Sequence, residues 1–243
     1  MPKFNLRGVW TRITAVAPRS ARIAIGIVLA AAVVVGGSFA ARAALREQAL
    51  QRSLTTPELR EQYAKARAFE RSPGDPMKRF DEYTGAGFNW KSLGDATGEE
   101  EFYRRAIRVY ERQVLGSRGR FSLPYLNIAT IVRDLGEPER AEQMYRKALE
   151  VDPGDSVIYL ALIELMRVDL RKSPDEVLLQ YDRSIDRLVF SKPLIASKAA
   201  YLNSLGRLQE SLDLYALLLA YDPENSIFQT EYLKLKQELD AKP

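Results

Sequence analysis

One spacing recurs four times along the chain: a small or β-branched residue is followed, four positions later, by a tyrosine. The pairs are Ala106/Tyr110, Ala141/Tyr145, Val177/Tyr181 and Ser211/Tyr215, and successive tyrosines stand 35, 36 and 34 residues apart. A fixed period of this size is typical of stacked helical repeats, in which each unit buries its apolar face against its neighbours. The period therefore predicts an all-α array of short helices with the tyrosines in its core.

Residues 122–155 show the pattern most completely. Apolar side chains at helical spacing predict two short helices, the first carrying Tyr125, Ile128, Ala129 and Val132, the second carrying Ala141, Tyr145 and Ala148. Gly136 ends the first helix, because glycine adopts the left-handed conformation easily, and Pro138 opens the second, where a missing amide proton costs nothing. Pro153 stops the second helix.

This segment resembles a tetratricopeptide repeat, a family in which a large residue of the first helix packs on small residues of the second. Here the large residue is Tyr125, the small ones are Ala141 and Ala148, and Pro153 closes the unit. Residues 87–120, 156–191 and 192–225 carry related patterns. In segment 87–120, Gly98 and Glu99–Glu101 predict a short or distorted first helix. Segment 156–191 is two residues longer than the 34-residue unit and lacks the closing proline.

The resemblance implies an α-solenoid of three to four repeats over 87–225. A polar-faced capping helix and a tail follow over 226–243, because the end of an array needs a soluble surface. The connector 42–86 is also helical, with a start signal in which Thr55 precedes Pro57 and Glu58. Its apolar stripe consists of Leu59, Tyr63, Ala66 and Phe69.

Residues 23–41 carry no charged side chain, and a helix of this length spans about 28 Å, close to the thickness of a bilayer's hydrocarbon core. The basic, acid-free tail 1–22 precedes it. This predicts a transmembrane helix with a cytoplasmic amino terminus and the repeats on the extracytoplasmic side of an inner membrane. Two alternatives stay open: a cleaved signal peptide over residues 1–40, and a mitochondrial presequence that would place the chain at the mitochondrial inner membrane.

Composition excludes much chemistry. The chain has no histidine and no cysteine, which removes the commonest general base, thiolate metal sites and disulfides. With no nucleophile–base pair, phosphate-binding loop or metal-ligand spacing, we expect neither an enzyme nor a cofactor. Seven basic residues lie in 1–46, so the remainder holds 29 basic and 32 acidic residues. A mildly acidic body argues against nucleic-acid binding.

Two surfaces are candidate interaction sites. The first helices of the repeats would present a polar groove to a protein or peptide partner, formed by Asn127, Thr130, Arg133, Glu164, Arg167 and Asn203. In the predicted transmembrane helix, Ala32, Gly36 and Ala40 form a stripe of small residues that would let another helix approach.

The sequence thus predicts a membrane-anchored scaffold, for which the family suggests envelope assembly, translocation or complex maturation. The alternative is an accessory subunit of a membrane complex, and the oligomeric state stays open.

Overall fold

Helices make up most of residues 39–241, the part of the chain that this computed structural model describes. The backbone divides into two units, Met1–Arg60 and Glu61–Pro243. Within the first unit, residues 39–53 form helix α1, and the Thr56 hydroxyl accepts a hydrogen bond from the Leu59 amide at 3.3 Å as the next helix begins. The helix cap is therefore Thr56, and the predicted assignment to Thr55 was one residue early.

The predicted tail 1–22 and residues 23–38 of the predicted transmembrane helix lie outside the described residues. Among the helices of residues 39–241, none combines the length and the apolar character that crossing a bilayer requires.

Ten helices follow α1 within the described part of the chain. They are Pro57–Arg71 (α2), Phe80–Thr97 (α3), Glu100–Ser117 (α4), Ser122–Asp134 (α5), Pro138–Val151 (α6), Ser156–Val168 (α7), Pro174–Leu188 (α8), Lys192–Ser204 (α9), Leu208–Tyr221 (α10) and Ser226–Asp240 (α11). Four consecutive pairs pack together, α3 on α4, α5 on α6, α7 on α8 and α9 on α10, and each pair contacts the next. The all-α, solenoid-like stacking of helix pairs predicted from the tyrosine period is confirmed.

The four tyrosines lie in the core. Tyr110, Tyr145, Tyr181 and Tyr215 are each at most 5% exposed. The small residue four positions before each one, which shares its helix face, is completely buried. Burial raises the pKa of all four hydroxyls, that of Tyr110 to about 12.

Turn residues set the helix ends in the second pair as the sequence predicts. Gly136 has a φ of +75°, and Pro138 occupies the first turn of α6. Helix α6 ends at Val151, two residues before Pro153. The single connecting turn is short, so α5 and α6 pack side by side.

The third pair accommodates its two extra residues in the connection between α7 and α8. There the amides of Leu170 and Lys172 donate to the carbonyls of Leu165 and Met166, which folds the chain back before α8 starts. Ser173 and Glu176 then form a reciprocal capping box, and Pro174 stands in the first turn. An insertion at a turn lengthens the connection without disturbing the paired helices.

The first pair differs from its sequence prediction. Gly98, with a φ of +72°, ends α3, and Glu100 and Glu101 form the first turn of α4. The expectation of a short or distorted first helix was wrong: α3 runs for 18 residues because it begins at Phe80, well before residue 87. Tyr83 and Ala86 are buried on the added turns, which explains their helical conformation despite Gly85.

Both ends of this array in the second unit carry an additional helix. Tyr63 of α2 packs edge-on against Trp90 of α3, with ring centroids 5.6 Å apart, and Ala66 is fully buried. At the other end, α11 packs on α10 and buries Leu235, while most of its surface remains exposed. Helix α11 spans the segment for which the sequence predicts a polar-faced capping helix.

Candidate functional site

The first helices of the four pairs carry the residues that the sequence predicts to form a partner-binding groove. We call this surface the first-helix face and define it by Lys91, Asp95, Asn127, Thr130, Arg133, Asp134, Glu164, Arg167, Asp169 and Asn203. Six of these residues were predicted from the sequence as groove residues. The other four are Lys91, Asp95, Asp134 and Asp169.

Arg133 links two neighbouring pairs. Its Nε and Nη2 atoms both lie 2.7 Å from Oδ2 of Asp169, the residue that follows α7. Both side chains are partly buried, at 27% and 28% exposure, so the hydrogen bonds are charge-assisted and partly shielded from water. The guanidinium that the sequence assigned to a partner is therefore already engaged within the chain.

A second link joins α3 to α5. The Lys91 ammonium lies 3.0 Å from both carboxylate oxygens of Asp95 and 3.2 Å from Asp134. The Tyr103 hydroxyl also donates to Asp95, at 3.0 Å. Burial acts to lower the pKa of Lys91, but its hydrogen bonds to the two carboxylates outweigh that effect and the pKa is raised.

Glu164 and Arg167 form a third ion pair, within α7. Two guanidinium nitrogens lie 3.1 and 2.7 Å from Oε2 of Glu164, and each side chain is 44% exposed. This hydrogen bonding raises the pKa of Arg167. Because an exposed pair one turn apart contributes only about 0.3–0.5 kcal/mol, either member can exchange its partner for a charged group of a ligand.

The three remaining predicted residues differ in how much hydrogen-bonding capacity they keep. The Thr130 hydroxyl donates to the Leu126 carbonyl at 3.0 Å and also contacts Tyr145. Asn127 and Asn203 are half-buried, and their side chains make no hydrogen bond with any other residue in the described part of the chain. Each amide offers two donors and an acceptor, so these are the groups best able to bind a peptide backbone.

Sequence reasoning missed the acidic partners, although one signal was present. Asp134 and Asp169 stand 35 residues apart, which is the repeat period, and both lie at the end of a first helix. Their cationic partners, Lys91 and Arg133, do not share that period. The repeat period could therefore have identified Asp134 and Asp169 as equivalent positions. It could not have predicted their ion pairs with Lys91 and Arg133.

The first-helix face holds three cationic and four acidic side chains. Residues 39–241 contain no group of acidic side chains arranged to hold a metal ion. A surface of this kind can bind a partner by hydrogen bonds and matched charges.

Ala40 is the one member of the predicted small-residue stripe that the structure describes. It lies in α1 with an exposed side chain. Ala32 and Gly36 lie outside the described residues.

A family model described as tetratricopeptide repeat matches residues 124–165, which contain α6, nearly all of α5 and most of α7. This class of repeat forms protein-interaction scaffolds and is generally not enzymatic. No curated protein matches the sequence.

Several solved structures are similar to this chain at low sequence identity. A crystal structure of MamA is 11% identical and has a TM-score of 0.47, covering 74% of this chain and 90% of its own. A thermophilic tetratricopeptide repeat protein from Thermus thermophilus is 14% identical, with a TM-score of 0.41 and coverages of 72% and 99%. A second MamA structure is 14% identical, with a TM-score of 0.42 and coverages of 62% and 81%.

Proposed function

We propose that this chain is a membrane-anchored scaffold that binds a protein or peptide partner through its first-helix face. The observation that carries the proposal is the pair of half-buried amides, Asn127 and Asn203, which have no hydrogen-bond partner among residues 39–241 and lie on a stack of repeat-like helix pairs. Half-buried amides without a partner favour a ligand that supplies backbone hydrogen bonds. The exchangeable Glu164–Arg167 pair provides charges of both signs on α7, the first helix that lies between theirs in the chain.

The anchoring part of the proposal rests on the sequence. Nineteen uncharged residues, 23–41, follow five basic residues and no acidic one. That asymmetry favours a cytoplasmic amino terminus and an extracytoplasmic repeat array in an inner membrane. A scaffold placed there would serve envelope assembly, translocation or the maturation of a membrane complex, by analogy with tetratricopeptide proteins as a class.

The binding test uses side chains whose removal leaves the fold intact. The double variant Asn127→Ala/Asn203→Ala removes the two amides, whereas changing Arg133 would also break the bridge to Asp169. The control is Gln143→Ala/Gln237→Ala, which removes two exposed amides from α6 and α11, outside the first-helix face. We expect a photo-crosslinker placed at Ser204 of the full-length chain to capture a partner that the first variant loses and the control keeps. Equal capture by both variants would show that the first-helix face is the wrong surface.

The anchor is tested separately. We expect the full-length chain to stay in the membrane fraction after alkaline carbonate extraction, and added protease to cleave the repeats only from the extracytoplasmic side. Release by carbonate, or loss of residues 1–40 from the mature chain, would contradict an uncleaved transmembrane anchor.

The alternative function is an accessory subunit held in a membrane complex by residues 23–41, through the stripe Ala32, Gly36 and Ala40. Small residues at four-residue steps allow close helix packing in lipid. Replacing residues 23–41 with an unrelated transmembrane segment separates the two functions: activity in the cell survives if the first-helix face is the binding surface and is lost if the stripe is.

A further inference from the structure

A basic pocket lies on the second unit, and none of its lining residues belongs to the first-helix face. It has a volume of about 340 Å³ and opens between α2 and α4, the second helix of the first pair. Its charged lining residues are Arg67, Glu70, Arg71, Arg105, Arg108 and Arg112. Five guanidinium groups and one carboxylate therefore surround a single opening.

The spacing of the arginines explains why they converge. Arg105, Arg108 and Arg112 stand at positions i, i+3 and i+7 of α4, so they share one helix face. Arg67 and Arg71 are four residues apart on α2 and share a face in the same way. Both faces line one pocket. The residue pattern within either helix does not predict this convergence.

Nearby carboxylates neutralise only part of this charge. Glu70 lies 2.6 Å from Arg67, and Glu101 lies 2.9 Å from Arg108 and 3.6 Å from Arg105. Arg71 and Arg112 are exposed and make no ion pair with any residue in 39–241. The named groups, five guanidinium groups and the carboxylates of Glu70 and Glu101, carry three more positive than negative charges, and such an excess attracts anions and accelerates their association.

Arg105 fixes the base of the pocket. It is only 8% exposed, and its guanidinium carbon lies 4.9 Å from the centre of the Trp90 ring. Contact with an aromatic face stabilises a cation and holds the planar guanidinium in one orientation. A bound anion thus meets a buried, oriented cation at the base and two exposed cations, Arg71 and Arg112, at the rim.

We propose that this pocket binds an acidic segment of a partner protein, one that carries at least two Asp or Glu side chains. The three arginines of α4 extend over roughly 10 Å along the helix, at 1.5 Å per residue. Alternate carboxylates of an extended peptide are about 7 Å apart, so two of them match this row, whereas one inorganic phosphate meets only part of it. The depth of Arg105 favours a flexible carboxylate side chain over a flat layer of lipid headgroups.

This site is independent of the first-helix face, because no residue belongs to both. It adds a second binding surface to the proposed scaffold and would let one chain hold two segments of one partner, or two partners. Linking two such contacts raises the overall affinity through effective concentration without any new contact.

The test uses the full-length chain in neutral detergent and a fluorescently labelled heptaglutamate peptide, with binding followed by anisotropy. The variant Arg71→Glu/Arg112→Glu reverses the two rim arginines. The matched control, Arg183→Glu/Arg187→Glu, makes the same charge change at two exposed α8 arginines that are also four residues apart and make no ion pair within the described residues. Inorganic phosphate and vesicles containing anionic lipid serve as competing probes.

We expect the rim variant to lose at least tenfold in affinity and the control to lose less than twofold, with affinity in the original chain falling as salt is added. Equal losses in both variants would overturn the proposal, because net charge alone would then explain binding. Absence of peptide binding, or tighter binding to anionic vesicles through the same two arginines, would overturn it as well.

Discussion

At the scale of single residues, four tyrosines determine how the array is packed. Each ring lies in the core, one turn after a completely buried small or β-branched residue on the same helix face. The cost of this burial appears in the raised pKa values. Burial of the four tyrosines can therefore be measured in two ways, through the free energy of unfolding and through the pKa of the hydroxyls.

We expect Tyr145→Ala to lower the free energy of unfolding by about 3–5 kcal/mol, because it leaves a ring-sized cavity in the core. Tyr145 is 2% exposed, and Ala141 and Ala148 on the same helix are completely buried. Urea unfolding followed by circular dichroism measures the change. A loss below about 1 kcal/mol would contradict the core packing of this ring.

Burial of Tyr110 predicts that stability falls at high pH. Its pKa is about 12 in the folded chain, whereas an unfolded tyrosine has a pKa near 10. Between these values the unfolded state loses the phenolic proton and the folded state keeps it, so the stabilisation present below pH 10 is lost as pH rises towards 12. Urea unfolding at pH 8 and at pH 11 measures the loss.

The variant Tyr110→Phe has no phenolic proton and should lose less stability between those two pH values than the original chain. The two proteins share every other titrating group, so the comparison isolates Tyr110. An identical loss in both would show that this hydroxyl ionises as readily in the folded state as in the unfolded one.

At the scale of the helices, α3 shows how two nearby glycines differ in role. A Cβ added at Gly87 would lie 2.4 to 2.8 Å from ring carbons of Tyr110 on α4, so glycine allows the two helices to approach. A Cβ added at Gly85 would meet no atom within 4 Å. The first glycine serves packing, and the second only weakens the helix.

We expect Gly87→Ala to destabilise the chain by about 1–3 kcal/mol, because overpacking forces the rings and backbone to shift. Gly85→Ala is the matched control and should stabilise it by about 0.5–1 kcal/mol, since alanine favours the helix. Thermal unfolding monitored by circular dichroism gives both changes. Stabilisation by both substitutions would contradict the close approach of α3 and α4.

Helix-level features also show what the sequence could and could not predict. The Gly136–Pro138 turn and the buried tyrosines follow from residues close together in the chain, so a periodic pattern predicts them. The Arg133–Asp169 bridge joins residues 36 positions apart and depends on how one pair is rotated against the next. The basic pocket likewise depends on α2 lying beside α4. The sequence of either helix alone does not predict that arrangement.

At the scale of the array formed in the second unit, stability is shared between neighbours. Helix α11 closes one end by covering Tyr215, Leu218 and the buried residues around them with Leu235. In a stack of this kind each pair depends mainly on those beside it, so damage at one end weakens the adjacent pair first.

We expect Leu235→Ala to reduce hydrogen-exchange protection in α9, α10 and α11 by tenfold or more while changing it less than threefold in α3 to α6. Leu235 is 1% exposed and Leu233, on the same helix, is 55% exposed, so Leu233→Ala is the control and should change neither region. Uniform loss of protection along the chain would show that residues 61–241 unfold as one cooperative body instead.

The ion pairs between successive first helices have a mechanical consequence. Lys91–Asp134 and Arg133–Asp169 bridge neighbouring pairs at their surface, where dissolved salt weakens them. We expect neighbouring pairs to be coupled more strongly in dilute buffer than in concentrated salt, because screening weakens partly exposed ion pairs. A ligand that binds across both bridges would therefore meet a more rigid surface in dilute buffer than in concentrated salt.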